Sequence, residues 1–259
     1  MSMGSLGSLG GGKRISIGGN YNAVAVIGSD LLEMWDASRG ETITATTDAT
    51  YTNAVSSWSG LVLGSNLVQS TPNLKPTYSP TGLAGSPCIN HDGTQQYLTC
   101  TDAALLAALP SGATPGEIWV LLSQDALAAD TTERYACGWS GTSVVTGRAI
   151  SRTVTSGTNR ARGRTGIGAS ATSVNDAAVD FSGIHVIRHI VGATTSSLSV
   201  DGGVPTTAAA VPATTNQRFR AGAISAAAAS NYWQGKIAAI LVTKPLSDDK
   251  AAALHSYLG

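Results

Sequence analysis

Hydrolysis of a glycosidic bond needs two carboxyl groups flanking the bond, and a strand delivers such a pair when acids stand two residues apart on one face. Glutamate occurs at Glu33, Glu41, Glu117 and Glu133, and none of these has an acid two positions away. Asp248 and Asp249 are adjacent, so they point differently, and they already suit the first turn of a helix. Asp, His and Ser all occur, but no G-x-S-x-G elbow holds a serine as nucleophile. No catalytic residue is assigned, and no enzyme is expected. For metal, His185 and His189 would share one face of a strand, yet roughly 13 Å of extended chain separates them, too far for one ion. They read as hydrogen-bonded sheet histidines. Asp92 and Asp201 each precede glycine, where an Asp-Gly turn accounts for them. The glycine-rich opening lacks the lysine and hydroxyl of a phosphate loop. Neither metal nor cofactor is expected. Cys88, Cys100 and Cys137 form an odd set without C-x-x-C spacing. They read as buried free thiols, with a Cys88–Cys100 cross-strand bond as the alternative.

Two clusters remain that could hold a partner. Sugar rings stack on exposed aromatic faces, and Trp139, in CGWSG, with Tyr232 and Trp233, beside a turn, are the glycan-binding candidates. Core packing is the competing reading for both tryptophans. The second cluster is arginine: Arg148, Arg152, Arg160, Arg162 and Arg164. Arg148 and Arg152 share a face of one strand, and the other three share a face of the next. A hairpin turning around Ser156-Gly157-Thr158 puts both sets on one side, a basic patch for an acidic subunit or an anionic glycan. A solvated face that merely protects a sheet edge is the alternative.

The elements that must position these residues are strands. Lys236 to Thr243 is apolar on both parities, with Ile237 and Leu241 on one face and Ala238, Ile240 and Val242 on the other. It is therefore a central strand covered on both sides. Lys244-Pro245 ends it, Ser247 caps a helix, and Ala251, Leu254 and Leu258 form the stripe that packs back on the sheet. Val24–Ile27, Leu31–Trp35, Ile118–Leu122 and Arg218–Ile224 read as further strands. Asp102–Leu109 reads as a short helix stopped by Pro110. Residues 40–74 read as a long connection in which only Trp58 and Leu61–Leu63 are buried, and Gly203–Thr215 as a loop.

The closing order, aromatic-x-G-x-I, then L-S-acidic, then a helix ending in Y-L, resembles the concanavalin A-like lectin/glucanase superfamily, the laminin-G-like sandwiches. Ile184–Asp201 resembles that family's hairpin ending in V-D-G. MWDAS at Met34–Ser38, Trp58, Lys75–Asn90 and DGTQQYL at Asp92–Leu98 resemble a pattern met in phage and bacterial surface proteins. The resemblance covers Leu31 to Leu258. It implies an all-β, concanavalin A-like jelly-roll sandwich of two antiparallel sheets with a short C-terminal helix. Glucanase relatives carry E-x-D-x-E, which this chain lacks, and loop aspartates bind calcium in some laminin-G-like relatives.

Length and composition agree. With 259 residues, 30 glycines and 42% hydrophobic residues, the chain suits one all-β domain with many turns. Sixteen basic residues balance sixteen acidic ones, which argues against nucleic acid as partner. No segment is long and apolar enough to span a membrane, and the start shows no Sec-type core. Residues 1–22 are Gly/Ser/Leu-rich and read as an arm used in assembly, with Leu6, Leu9, Lys13 and Arg14 as its contacts. Residues 23–259 read as the sandwich. The expected protein is a non-enzymatic bacteriophage virion component, a capsid decoration, head-fibre or tail-fibre-type adhesin, made in the host cytoplasm. It would assemble with other virion subunits as a homo-oligomer and could engage a host surface glycan. A glycan-binding module of a bacterial surface protein is the alternative, and a degenerate hydrolase or lyase the third.

Overall fold

A computed structural model of the chain describes residues 23–47, 50, 52–125, 131–140, 147–167, 170–209, 216–223 and 229–259. The expected arm contacts Leu6, Leu9, Lys13 and Arg14 lie outside the described residues. The described chain is an antiparallel β-sandwich. One sheet is centred on the expected closing strand, β17 (Gln234–Thr243). On one side of it, β1 (Leu31–Asp36) and β6 (Ser86–Asp92) share the edge in tandem, and β5 (Thr77–Leu83) pairs with β6. On the other side follow β8 (Gly116–Gln124), β13 (His185–Val191), β14 (Thr195–Val200) and β15 (Thr206–Ala209).

The second sheet starts with β2 (Ile43–Thr46), β3 (Ala54–Ser59), β4 (Asn66–Val68) and β7 (Leu98–Cys100). It continues through β16 (Arg218–Ala221), β9 (Arg134–Ser140), β10 (Arg148–Thr155), β11 (Thr158–Ile167) and β12 (Ser170–Ala178). A ladder contact between Ala54 and Thr77 joins the two sheets.

The main core lies between the sheets. Trp35, Trp58, Trp139, Trp233 and Phe219 are fully buried there, and Phe219 stacks on Trp35 with centroids 4.8 Å apart. Burying a ring such as Phe219 contributes about 3 kcal/mol, and its stacking about 1 kcal/mol more. A second apolar layer lies on the outer face of the β17 sheet, beneath α1 (Ala23–Ile27) and α3 (Asp248–Leu258). Ala251, Leu254 and Leu258 are its helical side, as the stripe predicts. The opposite sheet has no helix over its outer face among the described residues, which leaves that face as the site of interest. Among the described residues no helix is long and apolar enough to cross a membrane.

Several local expectations change. Val24–Ile27 forms a helix, despite its valines, because Ala23 and Ile27 pack against α3 and the Lys250 ammonium caps Ile27 O and pairs with Asp30. The 40–74 stretch contains three strands, β2 to β4, and Leu61, Val62 and Leu63 are exposed rather than buried. The 203–215 loop includes β15. In β17 a bulge between Ile237 and Ala239 regroups the faces. Ile237 joins Ile240 and Val242 between the sheets, while Ala238, Ala239 and Leu241 turn to the helices. As expected, α2 (Ala103–Ala108) is capped by Asp102, whose carboxylate accepts from Leu105 N, and the three thiols are free and buried.

Candidate functional site

Alternation decides what the uncovered sheet displays. Trp58, Leu67, Leu98, Phe219, Ile150 and their neighbours of like parity enter the core, so the residues between them face outward. Cross-strand register places Ser57, Val68, Thr99, Arg220, Gly138, Ala149 and Arg164 in one row across seven strands, from β3 to β11. Gly138 and Ala149 give the row a low floor, and arginines rise on both sides of it. Arg220 and Arg164 are three strand spacings apart, about 14 Å.

At the Arg220 end lies a cleft of about 460 Å³ lined by Ser56, Val68, Gln69, Ser70, Tyr97, Thr99 and Arg220. Its parts are held in place. Arg220 Nε donates to Thr99 Oγ1 at 3.0 Å, and its guanidinium lies 5.1 Å from the centre of the Tyr97 ring. On the other side Tyr97 meets Tyr232, ring centroids 6.1 Å apart. Tyr232 is pinned by its hydroxyl, which donates to Ala229 O, and by Arg134, which donates to both Tyr232 O and Gly93 O. Gln69 Nε2 donates to Tyr97 O. Burial, then the charge of Arg218, holds Arg220 below the usual guanidinium range. Val68, 48% exposed, supplies an apolar patch. Hydroxyls, an amide and a guanidinium set in a mainly apolar surface around a tyrosine suit a polyhydroxylated ligand.

The far end of the row differs. Arg164 donates Nε and Nη2 to the two oxygens of Glu133, Arg162 Nη1 donates to the same carboxylate at 3.2 Å, and Ser151 Oγ donates at 2.7 Å. Burial opposes ionisation of Glu133, but Arg164, Ser151 and Arg162 together hold it below the usual carboxylate range.

These positions divide the sequence candidates. Trp139 and Trp233 are 1% and 0% exposed and belong to the core, where Trp139 Nε1 donates to Pro110 O, so neither stacks on a ligand. Tyr232, half-buried, meets Tyr97 and is not among the residues lining the cleft. The arginines do not form one patch. The turn is Ser156-Gly157, with φ of 52° and 77°, so Thr155 pairs with Thr158 and even positions on β10 face odd positions on β11. Arg148 and Arg152 therefore turn inward and are buried. Arg148 donates to the carbonyls of Gly112 and Thr114, and Arg152 to Asn159 Oδ1 and Thr132 O. Arg160, Arg162 and Arg164 face outward. His185 pairs with Asp201 and Asp180 O, and His189 with Ser196, so both are hydrogen-bonded as expected. Asp92 closes a turn with Thr94, Gln95 and Gln96. Among the described residues no cluster of His, Cys, Asp and Glu could hold a metal ion.

Tyr97, Thr99, Arg218 and Arg220 were not singled out by sequence. The R-F-R alternation around Phe219 is the signal that could have found the two arginines.

No family model and no curated protein matches the chain. Solved structures do. An arabinofuranosidase complexed with arabinofuranosyl-α-1,2-xylobiose superposes with a TM-score of 0.59 at 13% identity, over 90% of this chain and 59% of that one. The CBM40 of a Ruminococcus gnavus sialidase, bound to α2,3-sialyllactose, gives 0.51 at 13% identity, over 65% of this chain and 96% of the module. The binding domain of Paraclostridial Mosquitocidal Protein 1 gives 0.56 at 9% identity, over 83% and 51%. The chain thus spans little more than half of the arabinofuranosidase and of the mosquitocidal binding domain. Identities this low show shared fold alone, and that fold is an antiparallel β-sandwich, the architecture expected from the sequence.

Proposed function

We propose that the chain is a carbohydrate-binding sandwich that receives its ligand on the uncovered sheet, in the Tyr97–Arg220 cleft, without cleaving it. The cleft itself carries this reading: it is preformed, lined by apolar surface with a few polar groups, fixed by side-chain hydrogen bonds, and built around a tyrosine. Three of the four glutamates are already engaged, which argues for binding over hydrolysis. Glu33 accepts the backbone N–H groups of Met34, Val62, Leu63 and Ser65, Glu117 is paired with Arg188, and Glu133 with Arg162 and Arg164. Carbohydrate-binding modules and toxin binding domains among the structures of the same fold support it further.

The test is a glycan array with the purified chain, followed by calorimetry on the ligands it retains. Val68→Trp fills the cleft floor from an exposed position, so it should abolish binding while leaving thermal unfolding in place. Failure to bind any glycan, or full binding by Val68→Trp, would overturn the proposal. The virion setting implied by the sequence resemblance is carried as part of the same proposal: the sandwich would serve attachment of a particle, and antibody against the chain should then label phage particles.

A further inference from the structure

A second cavity, of about 340 Å³, opens on the opposite face of the molecule, between α3 and the outer surface of the β17 sheet. Cross-strand register sets Trp119, Arg188 and Ser199 side by side on β8, β13 and β14 as its floor. Asp248 and His255, about two helical turns apart on α3, stand towards the two ends of its helical wall. Four polar groups here have bonding capacity left. Ser199 is 5% exposed, and its hydroxyl has no partner among the described residues. Arg188 spends Nε and Nη2 on Glu117, which leaves Nη1. The His255 ring buries Nδ1 and lays the edge bearing Nε2 against Gly202, where a φ of 72° and the missing Cβ admit it. Asp248 is exposed in the first turn of α3, and its carboxylate is likewise unpartnered among the described residues. Leu246 N and Arg188 Nη2 donate to the same Glu117 oxygen, so the start of α3 and the guanidinium are neighbours. Arg188 and Asp248 nevertheless make no ion pair with each other.

We infer that this cavity is a second binding site, which takes a free α-amino acid with an aliphatic side chain. It is separate from the carbohydrate cleft and does not rest on it. Charge decides the class of ligand. Glu117 balances Arg188, whereas Asp248 has only the start of the helix, so a simple anion would meet a net negative site. A simple amine would satisfy Asp248 but bring no acceptor to Arg188 Nη1, Ser199 Oγ or His255 Nε2. A zwitterion does both: its carboxylate accepts from the guanidinium and the hydroxyl, and its ammonium donates to Asp248. Val186, Pro205, Ala251 and Ala252 supply an apolar wall for the side chain. A sugar finds no ring to stack on, because Trp119 is 2% exposed and the Arg188 guanidinium covers it at 4.8 Å.

The experiment is calorimetry on the full chain with leucine as the probe. Leucine is set against N-acetyl-leucine, which lacks the ammonium, and leucinamide, which lacks the carboxylate. Leucine should bind, and each derivative should bind about tenfold more weakly or worse, because hydrogen bonds to charged groups exceed neutral ones by about that factor. Asp248 is exposed, so Asp248→Asn leaves the fold alone; it should weaken leucine about tenfold and N-acetyl-leucine not at all. Ala252→Trp fills the cavity from an exposed helical position and should abolish leucine binding while urea unfolding stays a single transition. Val68→Trp, on the other sheet, should leave leucine binding intact, so this site and the carbohydrate cleft stand or fall separately. No binding of leucine at concentrations up to about 10 mM, or equal binding of its two derivatives, would overturn the inference. Leucine binding retained in Ala252→Trp would put the ligand elsewhere and overturn the site. Binding of glucose or galactose that Ala252→Trp removes would overturn the amino-acid class, by showing a second sugar site.

Discussion

Replacing Glu117 with glutamine should destabilise the sandwich more than any comparable surface change. Glu117 is 1% exposed on β8, and its two oxygens accept four hydrogen bonds. Arg188 donates Nε at 3.0 Å and Nη2 at 2.8 Å, Trp119 Nε1 donates at 2.9 Å, and Leu246 N donates at 3.0 Å just before α3 begins. The Arg188 guanidinium also lies 4.8 Å from the centre of the Trp119 ring. Glutamine keeps the shape but turns an amide donor towards donors and leaves the arginine without its counter-charge. Breaking a buried pair costs roughly 3–5 kcal/mol, and partial exposure of Arg188 puts the expectation near the lower end, about 3 kcal/mol. For a domain of this size that is a fall in Tm of about 6–12 °C. Glu117→Met with Arg188→Met should return part of it, because it removes the unpaired arginine but still leaves the Trp119 and Leu246 N–H groups without their acceptor. Urea unfolding followed by tryptophan fluorescence, run as a double-mutant cycle, measures both. A loss below about 1 kcal/mol in Glu117→Gln, or a double variant no more stable than the single, would refute a clamp of this strength.

Two further outcomes follow from buried groups. Burial lowers the folded pKa of His91 to about 4 and of His189 to about 3, against 6.5 for the free side chain. The unfolded chain therefore takes up protons that the folded one refuses, and stability falls as pH drops from 6.5 towards 4, by on the order of several kcal/mol. His185, raised by its bond to Asp201, has the opposite sign: its contribution is full below 6.5 and fades as pH rises through its folded value. Urea midpoints from pH 7.5 to 4.5 should decline and flatten in His189→Gln, and a level wild-type profile would contradict this. Burial also pushes the Cys88 thiol up to about 11 and raises Cys100 and Cys137, so Ellman's reagent at pH 8 should find no reactive thiol until the protein is denatured. Rapid reaction of the native protein would show one of them to be accessible.

The legible parts of this fold are those fixed by neighbours in sequence. A run apolar on both parities, then Lys-Pro, then a helix with one apolar stripe, specifies β17 and α3 without distant information, although Ser247 at the helix start makes no side-chain capping bond. The same holds for α2, from Asp102 to Pro110, and for the hairpin of β13 and β14. What escaped depends on tertiary partners. Helix α1 has strand-like residues and is helical because α3 and Lys250 hold it. The turn at Leu61–Leu63 looked like core because its residues are apolar. It is held outward by the buried Glu33 carboxylate, whose four N–H donors come from β1 and from the turn itself. No local pattern announces that role for a glutamate.

The arginines show how a single turn residue decides what a surface offers. Counting Thr158 as part of the turn pairs even positions with even positions and gathers five arginines on one face. The two-residue turn, with Ser156 and Gly157 both at positive φ, pairs Arg152 with Ala161 and Arg148 with Thr165, and the set splits. Two guanidinium groups are then buried against backbone carbonyls, and three face outward, two of them paired with one glutamate. The one arginine that lines the cleft is instead Arg220, roughly sixty residues away in sequence. It reaches the row because β16 inserts between β7 and β9, strands that flank it in space but not in sequence. A face assembled from β3, β4, β7, β16, β9, β10 and β11 has no linear signature. Each strand shows only which of its residues alternate outward, and topology alone sets Tyr97 beside Arg220 and Tyr232.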